Sequence, residues 1–158
     1  MKILKILFLT TLLMLPTWVM ADSWFYDIQE DEFVSGYSRT AIVPDSNNIV
    51  FLGVVFASRF NNKPMVGFHY SESQNYIPSF CHVDCSIYLN VDGKKFPVFK
   101  AVRNSESYYL KDSNKALKAI KDAKVIKVEL PPPLWGDVNV HTFYLDEPLD
   151  MDKLAEPK

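Results

Sequence analysis

Cys81, His82, Asp84 and Cys85 crowd four potential metal or redox side chains into one short stretch, and these two cysteines are the only ones. A metal centre would need the donors to converge, and adjacent Cys81 and His82 converge poorly. Oxidation would also remove both thiolates as ligands. The CxxxC spacing differs from the CxxC of redox-active pairs. The expectation is therefore a structural disulfide between Cys81 and Cys85, with no metal and no cofactor. A fully extended chain would hold the two Cα atoms about 13 Å apart, beyond the ~7 Å that a bridge spans. A turn at His82-Val83-Asp84 is therefore required. Closing so small a loop contributes about 2 kcal/mol.

The histidines are His69, His82 and His141. Nucleophilic catalysis would need a Ser or Cys beside a base, oriented by a carboxylate. Ser71 lies near His69 in sequence, but no strand–elbow–helix pattern surrounds it. GxSxG, HExxH, phosphate-binding glycine loops and dinucleotide fingerprints are all missing from the sequence. Paired acids such as Asp31/Glu32 and Asp146/Glu147 fall in solvated acidic segments and read as surface.

The compartment and size follow from the first residues. Lys2 and Lys5 precede an apolar run at 6–15, and Val19-Met20-Ala21 suits a cleavage site. Residues 1–21 are expected to be a cleaved signal peptide that leaves no stable membrane anchor. The mature chain would be one β-rich domain over 22–150 with a polar, fraying tail at 151–158. The location expected is periplasmic or secreted. Removing Lys2 and Lys5 takes the net charge from −2 to −4, which makes no case for nucleic acid. The charge is uneven. Residues 94–127 carry ten Lys or Arg and three acids, while both ends are acidic. The ends could simply neutralise the middle, or a basic face could meet an acidic partner.

Period-two apolar patterns place strands at 24–28, 33–43, 65–70, 124–130 and 138–145. Ile49–Phe56 is almost continuously apolar and reads as a strand buried on both faces. Residues 87–91 and 94–98 flank Asp92-Gly93, the signature of a type I′ hairpin. That turn pairs Val91 with Lys94, Leu89 with Phe96 and Ile87 with Val98. Pro97 requires an edge strand or a kink. One short helix is expected at about 114–123, with Ala116, Leu117, Ile120 and Ala123 as its packing stripe. The fold class is thus mainly β: an antiparallel sandwich or open barrel with one short helix. Pro131-Pro132-Pro133 and Trp135 read as a stiff loop.

Residues 86–154 resemble exported bacterial proteins of the invasion-associated locus B family and periplasmic accessory proteins of type VI secretion. The likeness lies in Leu89–Gly93, in Ala116-Leu117, Ile120 and Ala123, in Val125–Leu130 and in Phe143-Tyr144-Leu145. Those families usually carry a glycine after the closing strand, where Asp146-Glu147-Pro148 stands here. The resemblance implies an exported β-sandwich domain without a known catalytic centre, and transfers no catalytic residue.

These observations point to an exported, non-catalytic binding module acting through protein–protein contact, in an accessory, virulence-associated, immunity or inhibitor role. The alternative is an enzyme acting on an envelope polymer, with its site assembled from distant residues. The candidate contact residues are Lys94, Lys95, Lys115, Lys118, Lys121 and Trp135. Lys115, Lys118 and Lys121 recur at spacing three, and two of them should lie near the helix N-terminus, where positive charge is disfavoured.

Overall fold

The computed structural model describes residues 23–30, 34–71, 81–131 and 139–156. The expected leader at 1–21 and the segment with Trp135 lie outside these residues.

The strands are β1 (Phe25–Glu30), β2 (Tyr37–Pro44), β3 (Val50–Ala57), β4 (Pro64–Tyr70), β5 (Cys85–Val91), β6 (Lys94–Lys95), β7 (Phe99–Asn104), β8 (Ser107–Leu110), β9 (Val125–Leu130) and β10 (Asn139–Tyr144), with α1 (Ser113–Ile120) between β8 and β9. They form one antiparallel sheet in the order β1-β2-β3-β4-β8-β7-β5-β9-β10, with β6 paired to the tip of β5. The sheet curls around its own inner face, so the open-barrel form of the expected mainly β fold holds. Inward residues alternate along each strand, as in Val66, Phe68 and Tyr70 of β4, and all three are buried. Phe68 and Phe143 meet across the enclosed core with ring centroids 6.2 Å apart.

The hairpin tip forms as its sequence requires. Asp92 and Gly93 both have positive φ, at 49° and 82°, and Val91 pairs with Lys94. Lower down, the expected register fails. Ile87 pairs with Phe99 instead of Val98. Pro97 offers no N–H to the ladder, and the chain takes up one extra residue there as a bulge. The slip turns Phe99 inward and leaves Val98 45% exposed. The tip also reaches sideways: the Asp92 carboxylate accepts the Lys124 and Val125 N–H groups at 3.0 and 2.8 Å. Hairpin and post-helix turn are thereby joined.

The helix is shorter than expected. The Asp112 side chain caps it by accepting the Lys115 N–H at 3.1 Å. Ala116, Ile120 and the following Ala123 are buried, and Leu117 packs against the same core.

β3 departs from its expectation. Val50, Leu52 and Val54 are buried inward, but Phe51, Gly53 and Val55 face outward and are only partly covered. No second layer covers that face among the described residues, so an apolar run reports burial of one face only. The C-terminal segment also differs. To Glu156 it is packed, not frayed. Leu149 and Leu154 are buried, and the Leu154 carbonyl accepts Nη1 of buried Arg39 at 2.9 Å.

Candidate docking faces

The disulfide is present between Cys81 and Cys85, with a Cα–Cα distance of 5.5 Å. The required turn is there, and Asp84 takes its left-handed residue at φ 59°. Lys111 donates to the Asp84 carboxylate and pairs with it. That hydrogen bond, with the charges of Lys111 and then Lys100, holds the Asp84 carboxyl below the usual aspartate range.

Two clusters could suggest catalysis. Asp45 and His141 are 96 residues apart, and the curl of the sheet brings them together. His141 Nδ1 lies 2.8 Å from Asp45 Oδ2, and its Nε2 lies 2.7 Å from Asn139 Oδ1. The Asn139 amide in turn donates to the Tyr70 hydroxyl. Both residues of the pair are buried, and both ring nitrogens are engaged, so neither faces a substrate. The other oxygen of Asp45 accepts the Ile49 and Val50 N–H groups at 2.7 and 3.2 Å. Ser46 N–H donates to the Thr142 carbonyl at 2.8 Å beside them. The cluster therefore fastens the β2–β3 turn to β10 and closes one end of the barrel.

His69 and Ser107 form the second cluster, with Nδ1 2.8 Å from Oγ. They are directly opposed cross-strand partners on β4 and β8. Ser107 opens β8 directly after the Ser105-Glu106 hairpin turn, and a strand rather than a helix follows it, so the strand–elbow–helix setting of a serine nucleophile is not there. Beside them, the Ser105 hydroxyl first and then a backbone N–H hold the Glu106 carboxyl below the usual range, with the charges of His69 and Arg103 adding. Among the described residues no group of three His, Cys, Asp or Glu converges as a metal site.

The outer face of β2, β3, β4 and β8 carries an apolar trench. Cross-strand register aligns Phe25, Ile42, Gly53, Gly67, Tyr109 and Val102 in one outward row. Gly53 and Gly67 sit side by side in its middle, and the missing side chains make a depression. Val55 and Met65 wall it on one side, and Phe51 and His69 on the other. The concavity encloses about 400 Å³ and its lining is largely apolar. Gly67 is needed there, because a Cβ would lie 2.8 Å from the Tyr108 carbonyl oxygen. Gly53 is not, since a Cβ would meet nothing within 4 Å. Sequence reading missed this site. Its only signal was a glycine inside each of two apolar runs.

A second groove lies on the outer face of β5, β9 and β10. One row runs Lys95, Asn90, Lys127, Thr142, and the next runs Tyr88, Glu129, Val140. Phe96 also lines it, and the volume is about 330 Å³. Lys94 Nζ lies 5.3 Å from the Phe96 ring centroid.

The expected contact residues thus separate. Lys95 lines this groove, and Lys94 meets it only through the Phe96 ring. On α1, Lys115 Nζ lies 5.5 Å from the Phe99 ring centroid, and Lys121 pairs with Asp122 at 2.5 Å. The helix ends at Ile120, so Lys118 sits in its last turn, where the macrodipole favours a cation. Only Lys115 lies in the first turn, so the expected electrostatic penalty on two lysines is not there. The hairpin tip does approach the end of α1, through Asp92 and Lys124. Trp135 lies outside the described residues.

Comparisons with family models, curated proteins and solved structures found no match to this chain.

Proposed function

We propose that this protein is an exported binding module that recognises another protein through the outer face of its curled sheet. One observation carries the reading: a largely apolar depression of about 400 Å³ lies open on a regular strand surface. Exposed apolar concavities of this kind mark interaction sites, because leaving them in water costs roughly 25 cal/mol per Å². The row from Phe25 to Val102 extends the apolar surface across six strands. Phe25 is 65% exposed at one end of it. A partner's aliphatic or aromatic side chain is the natural occupant of the depression.

Export is supported by the leader-like residues 1–21 and by the disulfide, which persists in oxidising compartments. Among the described residues no helix is long and apolar enough to cross a membrane. The likeness of residues 86–154 to exported accessory proteins agrees with the same role. An envelope-polymer enzyme is the alternative reading, and the His69–Ser107 pair at the trench rim is its best residue set.

The test is affinity capture from periplasmic extract with the mature chain, followed by calorimetry on the captured partner. Binding should show a negative heat-capacity change and weaken at least tenfold in Gly53→Leu. Capture indifferent to Gly53→Leu would remove the trench from the reading. Polymer turnover abolished by Ser107→Ala would favour the enzyme.

A further inference from the structure

The groove on β5, β9 and β10 differs in kind from the trench, because cations border it. Lys95 and Lys127 lie in one outward row on either side of Asn90. Two strand spacings separate them, or about 10 Å. The ion pairs of lysines among the described residues engage Lys111, Lys121 and Lys153, and neither Lys95 nor Lys127. Lys94 adds charge over Phe96, with Nζ 5.3 Å from its ring centroid. Asp92, the acid at the hairpin tip, is occupied by the Lys124 and Val125 N–H groups. Among the described residues, Glu129 is the one carboxylate lining the groove. Tyr88, Phe96 and Val140 supply the groove's apolar surface, with Glu129 between Tyr88 and Val140. Tyr88 is 48% and Val140 51% exposed.

We infer that this groove takes an acidic segment of the protein partner, an extended stretch with carboxylates on either side of an apolar residue. The carboxylates lie over Lys95 and Lys127, and the apolar side chain enters between Tyr88, Phe96 and Val140. Asn90, in the floor, can bond the peptide backbone. The inference rests on the proposed binding role and adds a second contact to it. An anionic membrane is the less fitting occupant. The groove is concave and narrow, which suits one extended segment, whereas a bilayer presents a broad flat surface. Charge complementarity of this kind acts chiefly on association rate and specificity, and salt weakens it.

The probe is a labelled peptide of glutamates around one phenylalanine, added to the ¹⁵N-labelled mature chain. Its glutamine counterpart and phosphatidylglycerol vesicles serve as the other arms. The glutamate peptide should shift the amide signals of Tyr88, Asn90 and Lys127. Its affinity should fall at least tenfold in Lys95→Gln/Lys127→Gln and in physiological salt. The glutamine peptide should bind at least tenfold more weakly, and Gly53→Leu should leave the glutamate peptide's binding unchanged. Shifts centred on Lys115, Lys118 and Lys121 would overturn the assignment. So would equal binding of both peptides, no peptide binding at low ionic strength, or binding of the vesicles alone. If the peptide fails while partner capture still depends on Gly53, this inference falls and the trench stands.

Discussion

At the scale of single residues, two carboxylates show how differently a charge can be used. Asp45 is buried, with one oxygen on His141 and the other on two backbone N–H groups. Asp45→Ala strands three donors at once. It should destabilise the fold by about 3 kcal/mol, read as a shift in urea midpoint. Asp84 is exposed, and Lys111 depresses its carboxyl. A depressed folded value means that its contribution is present above the unfolded pKa and lost as pH falls through the folded one. That window lies below the ordinary aspartate range. NMR titration should place Asp84 below its ordinary value, and Lys111→Met should return it upward. The Asp45–His141 contact was not legible in the sequence, because 96 residues separate the pair and no spacing rule joins them. The disulfide was legible, because two cysteines behind a leader-like N-terminus have few other expected fates.

At the scale of elements, local turn chemistry was readable and register beyond it was not. Asp92-Gly93 specified the type I′ tip through its need for two positive φ values. Gly93→Val should cost about 1–2 kcal/mol, since a β-branched residue is forced to φ 82°. An unchanged denaturation midpoint would contradict this. Pro97 signalled a kink, but not that the kink would swallow one residue and exchange Val98 for Phe99 as the inward side chain. Reduction of the Cys81–Cys85 bridge should destabilise by about 2 kcal/mol, a small effect because the loop is short. Intact-mass spectrometry of the native protein should show it two hydrogens lighter than its reduced form.

At the scale of the molecule, the apolar run of β3 marks where sequence reasoning reached its edge. Such a run states that a strand prefers apolar company, not which face obtains it. Val50, Leu52 and Val54 obtain it from the core. Phe51, Val55 and their neighbours around Gly53 and Gly67 keep an open trench, and that open trench carries the proposed role. The one α-helix among the described residues and its packing stripe could be approached from periodicity, but β7 and β8 escaped it, since their short runs carry no sustained alternation. The curl that closes β10 onto the β2–β3 turn depends on contacts no window of sequence contains. The most direct measurement of the central claim is photo-crosslinking in cells. A photoreactive phenylalanine analogue is placed at Met65 in the trench wall, or at Lys118 on the helix. A discrete protein adduct is expected from Met65, lost when Gly53→Leu is added, and none from Lys118. An adduct from Lys118 alone, with the Met65 variant folded and silent, would contradict that claim.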